Sequence, residues 1–253
     1  DGVCAPAPED RIPFTVTRDM IYSGNGSDEV LSFVFYAFFD SDRPVVTPQF
    51  SYSFYPVHGG FYDIPLDPVP LAADWSLDAD TMVAHAVKHD SATIFANPNA
   101  PTGRSMTRAQ VRAMLQKAPK DRAFVVDEAY VDFGGESCIP LLGEFSNLVI
   151  VRTFSKSLSS AGMRLGYIVA SPDVVQEVTT VKNSLNHFPI DAVAQVAGKA
   201  ACEHDAYYAA CAKKVAATRD KFIAFLIAHG WDVVPSQTNF IYTKKAGVAG
   251  ELA

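Results

Sequence analysis

A lysine and an aspartate stand at the exits of two short apolar runs. Lys156 follows Leu148-Val149-Ile150-Val151 by way of Arg152-Thr153-Phe154-Ser155, and Asp127 ends Ala123-Phe124-Val125-Val126 and opens Asp127-Glu128-Ala129-Tyr130. Short apolar runs bounded by polar residues read as buried strands. Ligands of open α/β sheets bind outside the carboxyl ends of the strands, so both side chains are candidates for one site. A primary amine can form an imine with a carbonyl, and a carboxylate can pair with a protonated ring nitrogen. Taken singly, each residue has a plainer reading. A buried aspartate is first a salt-bridged or capping residue, because an unpaired carboxylate there is costly, and a lone loop lysine is first a solvated one.

Three further clusters change that balance. Gly24-Asn25-Gly26-Ser27-Asp28-Glu29 precedes an apolar helical stretch. Glycines let a ligand approach the backbone, and the free N–H groups of a helix start favour an anion. By itself this motif reads equally as a turn and a capped helix; it is neither a dinucleotide fingerprint nor a P-loop. Asn97-Pro98-Asn99-Ala100-Pro101-Thr102-Gly103 is a turn-rich loop after another apolar run. Arg164, eight residues beyond Lys156, could join Ser155 in binding a phosphate dianion through its planar fork. Tyr130 lies three residues after Asp127 and adds a phenol. Together these are a phosphate cradle, an imine-forming amine, a partner for a pyridinium and a phenol, which is the outfit required by pyridoxal 5′-phosphate.

The elements that must carry these groups alternate. Extended segments are expected at Met20 to Ser23, Pro44 to Thr47, Tyr62 to Pro65, Ala92 to Ala96, the two runs above and Gly166 to Ala170. Helices are expected from Ser27 to about Phe39, with Ser or Asp as N-cap, over Ser51 to His58, Asp78 to Val87, Thr107 to Lys117, Pro172 to Val181, Ile190 to His204 and Ala206 to His229. This order predicts an α/β fold, with three layers and a mainly parallel sheet covered on both faces. Residues 1–18 read as a lead-in and 19–230 as the large domain. Residues 231–253, with extended stretches at Trp231 to Val234 and Asn239 to Thr243, read as the start of a small C-terminal domain that is largely missing.

Composition narrows the classes. The 253 residues are 49% hydrophobic and 19% charged, an ordinary globular mixture. A net charge of -7 argues against a general nucleic-acid partner. No run approaches the ~20 apolar residues of a membrane span. The cysteines Cys4, Cys138, Cys202 and Cys211 form no CxxC pair, and the histidines show no metal spacing, so reduced thiols and a cytoplasmic setting are expected, with no metal. Phe33, Phe35, Tyr36, Phe38 and Phe39 read as helix packing. Tyr52 and Tyr55 read equally as pocket, core or interface.

The motifs Gly-Asn-Gly-Ser-Asp-Glu, Asn-Pro-Asn-Ala-Pro-Thr-Gly, Asp-Glu-Ala-Tyr and Arg-Thr-Phe-Ser-Lys, in order over residues 20 to 243, resemble fold-type I pyridoxal-phosphate aminotransferases, above all the histidinol-phosphate aminotransferase branch. The resemblance implies an imine-forming and proton-shuttling Lys156, Asp127 on the ring nitrogen and Tyr130 on the ring hydroxyl. It implies Ser27, Asp28, Ser155 and Arg164 around the phosphate with Thr153 nearby, Phe50 stacked on the ring, and Asn186 on the substrate side. It also implies amino transfer between an amino acid or amine (histidinol phosphate or an aromatic amino acid) and a 2-oxo acid, by a homodimer. A decarboxylase or carbon–sulfur lyase of the same fold shares these residues, and a non-catalytic cofactor-binding fragment is the other alternative. Three departures stand out. Ala100 occupies the place of an asparagine that bonds the ring hydroxyl, so Asn99 substitutes or the contact is lost. The N-terminal arm that lends a tyrosine to a partner subunit has no counterpart. The chain ends before the small-domain arginine that meets the substrate.

Overall fold

Alternation along the strands decides which side chains face which layer. In a computed structural model of the chain, residues 14–247 are described; Cys4 and the first thirteen residues of the expected lead-in lie outside them, as do residues 248–253. The strands β1 (Ile21–Asn25), β2 (Val45–Pro48), β3 (Leu66–Val69), β4 (Thr93–Ala96), β5 (Phe124–Asp127), β6 (Leu148–Thr153) and β7 (Leu165–Ala170) form a seven-stranded sheet in the order β1-β7-β6-β5-β4-β2-β3. Pairing from β6 across to β3 is parallel, whereas β7 runs antiparallel to both β6 and β1. The sheet is therefore mixed but mainly parallel.

Helices cover both faces. On one, Val125, Val149, Val151 and Ile168 pack with Val30, Leu31, Val34 and Phe35 of α1 (Gly26–Phe38), Tyr55 of α2 (Phe54–Phe61) and Val175 and Val178 of α5 (Pro172–Leu185). On the other, Phe124, Val126, Leu148 and Ile150 pack with Met82 and Val83 of α3 (Ala79–His89) and Val111, Met114 and Leu115 of α4 (Arg108–Lys117). This is a three-layer αβα architecture. Asp127, two residues after Val125, shares the face occupied by α1 and α2.

Local chemistry explains most boundaries. Thr107 and Gln110 close a capping box at α4, and the Asp78 carboxylate accepts the Thr81 N–H at α3. Other expectations need correction. The β1 strand runs on through Asn25, and α1 starts immediately at Gly26, whose φ is +85°. Neither Ser27 nor Asp28 is its N-cap. Asn25 holds that position without a side-chain cap, and its own N–H donates to Glu29 Oε2 at 2.6 Å. The α2 helix starts at Phe54 rather than Ser51, whose hydroxyl is engaged by Asn99 at 2.9 Å. The third strand lies at Leu66–Val69, because Tyr62 caps α2 and Asp63 turns the chain at φ 55°. Its Pro68 is tolerated because β3 is an edge strand. Beyond α6 (Ala192–Glu203) and α7 (Asp205–Ala228), β8 (Asp232–Val234) and β9 (Tyr242–Lys244) form a separate antiparallel pair.

Among the described residues no helix is long and apolar enough to cross a membrane, and no group of His, Cys, Asp or Glu is arranged to hold a metal ion.

Candidate active site

The strand ends converge on a cleft of about 610 Å³ of empty space, part of it open to solvent, whose walls include Ser27, Asp28, Tyr52, Asp127, Tyr130, Ser155, Lys156 and Arg164. Parallel β4, β5 and β6 all end at this edge. The β7 strand runs the other way, so its beginning, not its end, arrives there and brings Arg164. Ala96, Asp127 and Val151 lie on one rung of the ladder.

The cradle is built by close backbone approach. Gly166 faces Thr153 across β6 and Gly24 across β1, and a Cβ on it would collide with the backbone nitrogen of Ser27. A Cβ on Gly26 would sit 2.5 Å from Arg164 Nη2. Bare glycine thus lets the guanidinium lie against the first turn of α1, where N–H groups lack intrahelical acceptors. Arg164 Nη2 is 3.3 Å from Asp28 Oδ2, while the Tyr52 hydroxyl donates to Asp28 Oδ1 at 2.7 Å. Burial, then the Asp28 carboxylate, push the Tyr52 phenol well above its ordinary range, so it stays a donor.

At the other end Asp127 is 4% exposed. Its Oδ1 accepts the Ala129 N–H at 3.0 Å and its Oδ2 accepts the Tyr55 hydroxyl at 3.1 Å. Burial pushes its carboxyl up to about 6, against the pull of those two hydrogen bonds. Lys156 Nζ lies 5.3 Å from the ring centroid of Tyr130, and that ring meets Phe240 edge-on at 5.0 Å.

Not every expected residue reaches the cleft. Phe50 is 49% exposed, packs at 6.2 Å against Trp75, and is not on the wall; Tyr52 is the aromatic side chain that lines it beside Tyr130. Tyr52, two residues after Phe50, is the ring that the fold brings to the wall. Asn99 does not replace the missing asparagine. It is fully buried, its Nδ2 donates to Phe50 O at 2.9 Å and Thr102 Oγ1 at 3.1 Å, and its Oδ1 accepts from Ser51. Ala100 is the residue on the wall, so that side offers no amide. Thr153 shapes the turn instead of lining the cleft, accepting the Ser155 N–H at 3.1 Å. Asn186 caps the end of α5 and donates to Glu29 Oε1 at 2.7 Å, which takes it out of the wall. Tyr55 is the participant that spacing alone left undecided. Its place three residues after Tyr52 is the only sequence signal it carries.

These features can be set beside known proteins. The model of the family "Aminotransferase class I and II" matches residues 9–249. The chain belongs to the class I and II aminotransferases. Within this aminotransferase family, histidinol-phosphate aminotransferase of Syntrophus aciditrophicus is 44% identical over 94% of the chain and 66% of its own length. The enzyme of that name from Lactococcus lactis is 43% identical over 90% of the chain and 62% of its own length. The chain thus spans slightly less than two thirds of these relatives. A solved histidinol-phosphate aminotransferase from Sinorhizobium meliloti, in complex with pyridoxal-5′-phosphate, superposes with a TM-score of 0.82 at 28% identity, covering 89% of this chain and 61% of that one.

Proposed function

We propose that this chain is the cofactor-binding part of a pyridoxal-phosphate aminotransferase that moves an amino group from histidinol phosphate, or an aromatic amino acid, to a 2-oxo acid. The observation that carries the reading is the convergence of an amine, a buried carboxylate, a phenol and an anion cradle from separate segments on one cleft. The fit to the cofactor rests on the cradle. The glycine at position 26 leaves room that a Cβ would fill, beside an arginine and a helix start, and this suits a phosphate monoester.

In this reading Ser27 and Asp28 through their backbone N–H groups, with Ser155 and Arg164, hold the phosphate. Asp127 holds the proton of the ring nitrogen, and Tyr130 donates to the ring hydroxyl. Bound there, pyridoxal phosphate supplies a carbonyl that condenses with amines and a ring that accepts electrons from a deprotonated carbon. With the cofactor bound, Lys156 Nζ would be the amine on the cleft wall that meets that carbonyl and, once a donor amine had taken its place, the base that would carry a proton between the donor's α-carbon and the cofactor. Residues 19–230 form the cofactor domain, and residues 231–253 begin another, a reading supported by the separate β8–β9 pair. A homodimer is the expected assembly, supported by the exposed apolar side chains Leu185, Phe188, Val193 and Val196. The buried Cys138 thiol fits a reducing cytoplasm.

The test adds pyridoxal phosphate to the chain and follows its visible absorbance, then supplies donors. A band that Lys156→Ala abolishes, and that histidinol phosphate bleaches in favour of the pyridoxamine form, is the expected result. A band that persists in Lys156→Ala sinks the assignment of the amine. Release of carbon dioxide or pyruvate in place of 2-oxo-acid-dependent turnover favours a decarboxylase or lyase, and binding without conversion favours a non-catalytic fragment.

A further inference from the structure

The hydroxyl of Tyr55 reaches the Asp127 carboxylate of the cleft from outside its wall. Tyr55 is 1% exposed, is absent from the cleft wall, and directs its hydroxyl to Asp127 Oδ2 at 3.1 Å. Its ring is fixed edge-on against Tyr52, at 5.6 Å and 85°. It arrives there because Asp127 points to the sheet face on which α2 packs, and Tyr55 is the buried residue in the first turn of that helix.

We infer that Tyr55 is a positioning residue that orients Asp127 and keeps it as the charged partner of the protonated ring nitrogen in the bound cofactor, an inference that rests on the proposed cofactor reading. The physical argument concerns where one proton sits. A carboxylate that accepts hydrogen bonds is a weaker base than a bare one. Asp127 lies in a buried place that favours its neutral form, with Asp28 and Glu128 pushing the same way and only the Ala129 N–H and Tyr55 hydroxyl opposing. Tyr130 and Tyr52 line the same cleft, and Arg164 is paired with Asp28. Tyr55 is fully buried with its phenol pushed far above the ordinary value, burial being the main cause, so it remains a donor at every working pH. With that donor removed, the carboxylate becomes more basic and rotates more freely. The proton it shares with a pyridine nitrogen then shifts towards Asp127, leaving the ring a poorer electron acceptor.

The ring nitrogen reports this directly. The chain, Tyr55→Phe, Asp127→Asn and the double variant are each loaded with pyridoxal phosphate labelled with ¹⁵N in the ring, and the nitrogen resonance is recorded. The wild-type resonance should lie in the pyridinium range and that of Asp127→Asn in the neutral pyridine range. Tyr55→Phe should fall between them, and the double variant should coincide with Asp127→Asn. Tyr55→His, which keeps a buried N–H donor, should return towards wild type, and it stands in for the test if phenylalanine prevents folding. A Tyr55→Phe resonance on top of wild type overturns the inference, as does a Tyr55→His resonance displaced as far as that of Asp127→Asn. A double variant shifted beyond Asp127→Asn shows that Tyr55 does not act through Asp127 and overturns it too. Failure of wild type to bind the cofactor overturns the proposed function and the inference together, whereas binding without a Tyr55 effect overturns the inference alone.

Discussion

Arg152 Nε and Glu128 Oε2 form an ion pair at 2.9 Å in which the Glu128 side chain is wholly buried and that of Arg152 is 13% exposed. The pair joins β6, which leads into Lys156, to the segment that directly follows Asp127 at the end of β5. Glu128 also accepts from Ser137 Oγ and the Cys138 N–H, and Arg152 reaches Asp132, which in turn accepts from Ser157 beside Lys156. Burial pushes the Glu128 carboxyl up, and Arg152 works against that rise. Removing one partner of a buried pair leaves the other charge uncompensated. Glu128→Gln should therefore lower unfolding free energy by about 3–5 kcal/mol. Urea unfolding measures this; a loss below about 1 kcal/mol, the size expected for an exposed pair, would refute the burial argument.

Asp127 gives stability a pH dependence of defined sign. Its folded value is about 6, against roughly 3.9 in an unfolded chain. A folded value raised in this way contributes stability that is fully present below about pH 4 and is lost as pH rises through about 6. Without cofactor, Asp127→Asn should be more stable than wild type by roughly 2–3 kcal/mol above pH 7, and the gap should close as pH falls towards 4. Denaturant titrations of both proteins across that range check it; a gap independent of pH contradicts the burial of an ionised Asp127.

Two glycines should fail differently. A Cβ at Gly166 strikes backbone at the start of α1, whereas one at Gly26 strikes the far end of the Arg164 side chain. Gly166→Ala should cost more than about 3 kcal/mol of stability because backbone must move. Gly26→Ala should cost about 1–2 kcal/mol for its positive φ, while weakening binding of pyridoxal phosphate about tenfold or more by displacing the guanidinium. Thermal unfolding and absorbance titration separate the two effects.

Asn186 offers a check on the substrate-side role that its position suggests. Its amide is used on Glu29. Asn186→Ala should lower stability by about 1 kcal/mol, the worth of one hydrogen bond, and leave the affinity for histidinol phosphate within twofold. A larger loss of affinity, seen by calorimetry on the loaded protein, would restore a direct role.

The strands that carry Asp127 and Lys156 were legible because each is a short, wholly apolar run ending in polar residues. The helices expected from Asp78 and from Thr107 both form, and the structure adds the partners of those caps, Thr81 and Gln110. Contacts made across the sheet were harder to read. Asn99 and Ala100 are neighbours, and only the fold shows that one turns inward to tie Phe50 and Ser51 while the other faces the cleft. Phe50 and Tyr52 both follow Pro48, and only the fold shows that Tyr52 lines the cleft while Phe50 packs against Trp75. The reversal of β7 leaves no mark in its own residues, since a strand buried on both faces shows the same apolar run in either direction.

That reversal has a consequence for chain entropy. Thr153 and Gly166 face each other across an antiparallel ladder, so Lys156 and Arg164 lie in one loop closed at its base. The cost of closing a loop depends only weakly on its length and is met once, by the ladder. The amine and the guanidinium are therefore held near each other by a local ring of chain, independently of how the flanking helices settle. A chain cut between them and rejoined through its ends would keep every strand and every helix, yet it would turn that ring into two free tails.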